Sequence, residues 1–589
     1  MAEKTSEEDP HQAWKAALPG VTLALPGGQN LALRELTEGV ASGYGGVALL
    51  MSMLDSSGAW TEFIKEAPIN GIGNRVTTTD ELMKTMLACV LVGGNRYNHV
   101  EHIKRDFLLA SLIKTKFCSS DALGRGLARL THKGGQEWSA KQLRRSALPA
   151  LRIVPGWVMD LDTSAKTLYG TQEGAEVGYN PHKKGHRGHA LHLVTVGGAR
   201  LILQIQVLPG NQMTPCFGRG KVMELLDELI KEKAPPRLVR GDVAYGNDEM
   251  MKDLESRKVD YLFRLKMSKK VSDLCRNVLE RRVGWEIEWQ DCGKGYRGCE
   301  ARLKLQGWEQ ERRVVILARP KVRKALLPAA ITDSQSPPPP AEILPIPEAK
   351  TKGKRKAKKT KSEGEPQQLV LDLRFDDKSG SFVTRGGQNP RYQGSRSTAL
   401  QAPRTDLVAE DPDGFEFMVL VTSMTSPAPQ VAQEYRQRAD SENPHDQIKN
   451  QQAIGGFTSN SLETTRLAMI LAALFHNWWT VFARCIDPEK TTEQITGQPA
   501  IIATPVLKKQ DRNGGTTLHL GPVGNHPILM LGIIAAISFF SSLKISAAHS
   551  GSSRSEAWSS VCAHAFRKYL PPVAATASGQ AVGDTDPPG

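Results

Sequence analysis

Residues 157–164 read WVMDLDTS, and here the chain changes period. Pro155 and Gly156 release it from helical patterning into a short apolar block that reads as a strand. Asp160 and Asp162 stand two residues apart in it and therefore share a face. Working outward, HALHLVTV (189–196) and ARLILQIQV (199–207) are strands flanking Gly197-Gly198, a two-residue hairpin signal. GRGKVMELLDELIKE (218–232) is an amphipathic helix, and after Pro235-Pro236 the strand RLVRGDVAYGN carries Asp242 at its end. A helix, DEMMKDLESRK (248–258), and a strand, VDYLFRLKM (259–267), complete the order of three strands, helix, strand, helix, strand.

A lone Asp at a strand end is most often a turn residue. What changes that reading is a second stretch, AQEYRQRADSENPHDQIK (432–449). At 100° per residue, Tyr435, Arg438, Glu442 and Lys449 fall within an arc of about 60° on one helix face. A stripe of Glu, Arg, Lys and Tyr cannot face an apolar core and has to meet water, phosphate or metal. Pro444 removes an amide donor two residues after Glu442, so a kink or a restart near His445 is expected.

Tyr-x2-Arg-x3-Glu-x6-Lys resembles the signature of DDE transposases of the cut-and-paste insertion-sequence type, and all four defining positions are present. Asp162-Thr163-Ser164 resembles the Asp-x-Ser/Thr that ends the first strand of the RNase H-like fold, which favours Asp162 and leaves Asp160 as the alternative. The strand order is that of the same fold, whose first and fourth strands lie adjacent, so Asp162 and Asp242 are expected to be neighbours. The resemblance implies that Asp162, Asp242 and Glu442 are the catalytic carboxylates, with Arg438 and Lys449 on DNA phosphates and Tyr435 positioning the strand. Three such carboxylates suit two divalent metals, Mg2+ by its preference for oxygen, with Mn2+ able to substitute. The implied reaction is hydrolysis at the ends of an element, followed by attack of the freed 3′-hydroxyl on target DNA. The implied partners are double-stranded DNA, as terminal inverted repeats and target, and a second copy of the chain in a homodimer. Two other readings stay open: a metal-dependent nuclease on this fold without strand transfer, and a DNA-binding relic without activity.

The loop after the first strand, LYGTQEGAEVGYNPHKKGHRG (168–188), is Gly-rich and basic. Lys183, Lys184 and Arg187 in it suit phosphate contacts. The net charge is +14, but between Lys350 and Lys361 eight of twelve residues are Lys or Arg with no acid. More than half of the excess thus sits in one run, and the remainder of the chain is only mildly basic.

The expected class is α/β: an RNase H-like mixed sheet flanked by helices and interrupted by a β-rich insertion. Residues 1–150 are expected to form an all-helical DNA-binding domain and 151–268 the first part of the core. The insertion takes 269–429, with a disordered Pro- and Lys-rich linker at 333–366. Residues 430–485 hold the Glu helix and the helix after it, and 486–589 a helical C-terminal region with a disordered tail. The eight cysteines form no C-x2-C pair, which argues against zinc and for reduced thiols. No secretory signal is read at the start, and Ile528–Leu543 is too short to span a bilayer, so it is expected as a buried helix. A cytoplasmic, nucleoid-associated protein without a membrane partner is the expectation.

Overall fold

The computed structural model describes residues 22–24, 30–32, 40–72, 77–180, 183–280, 288–321, 373–376, 381–384, 414–438, 456–490, 492–510, 516–521, 527–550 and 554–570. The chain divides into two compact units, Met1–Arg319 with Phe417–Gly589, and Pro320–Glu416. In the second unit, Leu373–Asp376 pairs antiparallel with Ser381–Thr384. The expected linker at 333–366 lies outside the described residues.

A ten-stranded sheet organises the first unit. Its longer strands are β1 (Val158–Thr167), β2 (Arg187–Val196), β3 (Leu201–Pro209), β4 (Leu238–Gly241), β5 (Asp260–Arg264), β6 (Arg297–Leu303), β7 (Arg312–Pro320) and β8 (Phe415–Thr422). β1, β2 and β3 form an antiparallel meander. On its other side β1 pairs parallel with β4, and β4 parallel with β5. First and fourth strands are therefore adjacent. β8 runs antiparallel to β5, and β7 and β6 follow it outward. These strands of the insertion continue the central sheet instead of forming a sheet of their own.

Parallel neighbours need a crossover. The helix Cys216–Lys231 carries the chain from β3 to β4, and Asp248–Ser256 carries it from β4 to β5. β2 is buried at nine of its ten positions and β4 at all four, as expected of strands covered on both faces. The β2–β3 hairpin is looser than the two-residue turn read from Gly197-Gly198. Val196 pairs with Leu201, so the loop has four residues, and it closes with Gly198 and Arg200 at positive φ (74° and 59°).

Before β1 come α1 (Gly45–Ser56), α2 (Ala59–Lys65), α3 (Thr79–Leu91), α4 (Ser120–Thr131) and α5 (Gly135–Ile153). Thr78 and Glu81 form a reciprocal capping box on α3, and Ser119 caps α4. After β8 come α6 (Ala428–Arg436) and α7 (Leu462–Ile486). Nearly every α7 residue is buried, so this apolar helix needs cover on all sides. α5, β3 and the later helix Arg554–Ala565 supply part of that cover. An aromatic cluster joins α2, α5 and α7, with Phe63 stacked on Trp138 at 4.5 Å and edge-on to Trp478 at 5.3 Å. Asn477 of α7 accepts from the Ile202 amide and donates to the Ile202 carbonyl, both at 2.8 Å, which satisfies the outer edge of β3 at that residue. Packing thus crosses the boundary expected at residue 150.

The helix Pro527–Ser550 departs from the buried helix read from its sequence. Ile533, Ala536 and Phe540 are buried, but Leu531 is 67% and Ile534 56% exposed. Among the described residues only Leu462–Ile486 is long and apolar enough to cross a membrane, and its most apolar stretch is buried in the protein.

Candidate active site

The register between β1 and β4 decides what meets at the C-terminal end of β4, beside the middle of β1. β1 runs on to Thr167, so Asp162 lies within the strand and not at the strand end that the Asp-x-Ser/Thr resemblance implied. Arg240 is paired with Asp160 and Gly241 with Leu161. Carried one residue further, the same register sets Asp242 across from Asp162. Asp242 is the first residue beyond β4, where its carboxylate accepts from the Ala244 amide at 2.9 Å in an Asx turn. Gly241 is required there because a Cβ would come within 2.8 Å of the Tyr245 ring.

Asp160 and Asp162, alike in the sequence, have different surroundings. Both carboxylate oxygens of Asp160 accept from Arg240, Oδ1 from Nε and Oδ2 from Nη2, each at 2.7 Å, and both side chains are 2% exposed. Asp162 is half-buried. Its Oδ1 accepts from the Thr163 amide at 2.9 Å and lies 3.2 Å from Nη2 of Arg438.

Arg438 reaches Asp162 from just past α6, which ends at Arg436 with Gln437 as its C-cap; the kink or restart expected near His445 lies outside the described residues. The Arg438 amide then donates to the Tyr435 carbonyl at 3.1 Å, a tightened last turn. Tyr435 is on the helix, packed against the core of Val158, Leu238 and Val431, and Arg438 lies just past it. Glu442, Pro444 and Lys449 lie outside the described residues.

Electrostatics tie the two carboxylates to one spot. The buried Tyr245 phenol is pushed well above its ordinary pKa by desolvation, then by the negative charges of Asp162 and Asp242. The same two carboxylates keep Arg438 firmly charged against the cost of its burial. Arg438 Nε has no hydrogen-bond partner among the described residues. The result is a polar floor made of two carboxylates, one buried guanidinium and a neutral phenol.

Residues 40–341, just over half of the chain, match the family described as transposase DDE domain group 1. The chain belongs to the DDE transposases. Asp162 and Asp242 fall within the matched segment, and Glu442 lies beyond it. No curated protein matches this DDE transposase. Among solved structures it overlaps a piggyBac transposase synaptic complex with hairpin DNA, at 9% identity and a TM-score of 0.33, over 91% of this chain and 84% of that one.

DDE transposase domains generally use divalent metals. Among the described residues of this one, no three of His, Cys, Asp and Glu converge on a point. The donors that do meet are the carboxylates of Asp162 and Asp242. A set made only of oxygen fits a hard cation such as Mg2+ and is a poor match for zinc.

The basic loop stands apart from this floor. Lys183, Lys184 and Arg187 are all exposed. Asn180 anchors the loop by donating to Thr167 Oγ1 at 2.9 Å and accepting from the Lys183 amide at 3.0 Å. The Lys183 ammonium lies over the Tyr169 ring at 4.8 Å and bonds its hydroxyl. Thr167 is five residues beyond Asp162 on β1, so the loop begins about 17 Å from the carboxylates at ~3.3 Å per residue.

Arg240, Tyr245 and Gly241 went unnoticed in the sequence. Their signal was present in the Arg two residues before Asp242, which mirrors the Asp two residues before Asp162.

Proposed function

We propose that this DDE transposase cleaves the ends of its own element and joins the freed 3′-hydroxyls to target DNA at one site built from Asp162, Asp242 and Glu442. The observation that carries the proposal is the β1–β4 register, which sets two half-buried carboxylates opposite each other beside Arg438. The meander of β1–β3 followed by parallel β4 and β5 supports an RNase H-like core. Tyr435 and Arg438, with Glu442 and Lys449 at the matching spacing, support membership of the branch that carries the Tyr-x2-Arg-x3-Glu-x6-Lys signature.

The three carboxylates would hold two divalent cations, Mg2+ or in its place Mn2+, which when bound supply Lewis-acid stabilisation of charge on the attacking and leaving oxygens. The chain's own groups do the rest. Asp162 and Asp242 orient, since Asp162 is held within β1 and Asp242 in the turn just past β4, each by a backbone amide. Arg438 offsets their charge and so eases the approach of a phosphodiester. Tyr245 stays protonated and adds no further repulsion. Lys183, Lys184 and Arg187 would take backbone phosphates away from the scissile bond, and Lys449 a phosphate near it. In the first step a water oxygen bonds to phosphorus and the 3′-oxygen leaves with a proton. In the second, the oxygen of that 3′-hydroxyl bonds to a target phosphorus, a target 3′-oxygen leaves, and the proton given up by the attacking hydroxyl ends on the leaving oxygen. A homodimer holding two ends completes the proposal.

The test uses labelled DNA carrying the flanks of this protein's gene, Mg2+, and wild type beside Asp162→Ala, Asp242→Ala and Glu442→Ala. Cutting and joining by wild type, with neither in the variants and DNA binding kept by all, is the expected result. Full activity in any variant removes that residue from the site, and cutting without joining replaces transposition by a nuclease.

A further inference from the structure

We propose that the buried Asp160–Arg240 pair is the positioning device of this site, holding its three contributing segments in a single register. The proposal rests on the reading of Asp162 and Asp242 as metal-binding carboxylates. Arg240 uses one guanidinium to reach three elements. Nε and Nη2 donate to the two Asp160 oxygens on β1, and Nη1 donates to the Glu434 carbonyl on α6 at 2.5 Å. Each partner lies just ahead of a site residue: Asp160 precedes Asp162 by two, Arg240 precedes Asp242 by two, and Glu434 precedes Tyr435 by one. Glu434 is held a second time, its carboxylate accepting from Arg237 Nη2 at 2.9 Å.

Stability alone does not call for such a pair. Burying two charges costs several kcal/mol per ion, and apolar residues of similar volume often replace a buried pair without loss. What apolar residues cannot supply is direction, because a planar fork accepts its partners only in fixed places. The surroundings keep the pair dry. Gly197, in the loop after β2, covers it so closely that a Cβ there would stand 2.8 Å from Asp160 Oδ2 and 2.9 Å from Arg240 Nη2.

The test compares full-length wild type with Arg240→Lys and with the double variant Asp160→Leu/Arg240→Met, reading thermal midpoint, DNA binding and Mn2+ affinity by calorimetric titration. Asp162→Ala is titrated alongside. The double variant should melt near wild type and bind DNA normally, yet need at least tenfold more Mn2+ for half-saturation. Arg240→Lys keeps the charge but not the fork, and should show the same loss of Mn2+ affinity, which decides the matter if the double variant does not fold. Wild-type Mn2+ affinity in a folded pair variant, with Asp162→Ala weakened, overturns the positioning role alone. Undiminished affinity in Asp162→Ala overturns the site reading and this proposal together.

Discussion

Nη2 of Arg438 lies 3.2 Å from Oδ1 of Asp162, with the arginine side chain 13% exposed and the aspartate 22%. A fixed positive charge at that distance competes with any cation drawn to the same carboxylate, while it also attracts a DNA phosphate. Arg438→Gln should therefore split two readouts that usually move together. Mn2+ affinity is expected to rise about tenfold, equivalent to ~1.4 kcal/mol, while cleavage falls. Parallel losses in both would mean that Arg438 serves the fold and not the charge balance.

Gly241 has no room for a side chain. In Gly241→Ala the new methyl would meet the Tyr245 ring at 2.8 Å, and either the ring or the end of β4 has to move. A loss of about 1–3 kcal/mol in denaturant unfolding is expected for overpacking of this kind. Because Asp242 is the next residue, cleavage should fall further than DNA binding does. Equal falls would point to general unfolding.

The exposed cations of the loop after β1 make a prediction about salt. Replacing Lys183, Lys184 and Arg187 by Ala should weaken binding to all DNA sequences alike. It should also flatten the plot of log affinity against log salt by about 0.9 for each phosphate that the loop no longer neutralises. A change confined to one sequence would instead mean that the loop reads bases.

His476 sets an acid limit. It is buried in α7 with its ring N–H donating to the Arg200 carbonyl at 2.7 Å, and burial holds its pKa down to about 4. The unfolded chain takes up a proton near pH 6.5 and the folded one does not. The stability His476 allows is therefore complete above pH 6.5 and is lost as pH falls toward 4. At 1.36 kcal/mol per pH unit that loss is about 3 kcal/mol. His476→Gln can keep the hydrogen bond without titrating, and urea unfolding at pH 7 and pH 4.5 should show a smaller drop than wild type. Equal drops would assign the acid sensitivity to other groups, such as His189 and His192, which burial also lowers.

The central strands and their order were legible because a half-buried or fully buried strand leaves its period in the sequence; that β1 runs five residues past Asp162 was not, because residues 163–167 are polar and only half-buried for the most part. The same periodicity could not separate Asp160 from Asp162, since it reports a shared face and not what lies across from it. Only the ladder, by pairing Asp160 with Arg240, distinguishes them. The end of α6 at Arg436 was hidden for a different reason. Residues 432–438 are all compatible with a helix, and the stop comes from a local tightening of the last turn. That β8, and through it β7 and β6, joins the main sheet was likewise not visible, because strand partners some 160 residues apart, such as Leu262 and Thr422, leave no local mark.

The near-complete enclosure of α7 bears on what a damaged copy of this gene can produce. A chain ending after Asp242 but before residue 462 has no α7, leaving β3 with an open edge and the aromatic side chains of α2 and α5 facing water. The fragment still contains both aspartates and the basic loop, but it lacks the cover that lets them fold. An early stop thus yields material for proteolysis or aggregation, not a shortened protein able to compete with the intact chain.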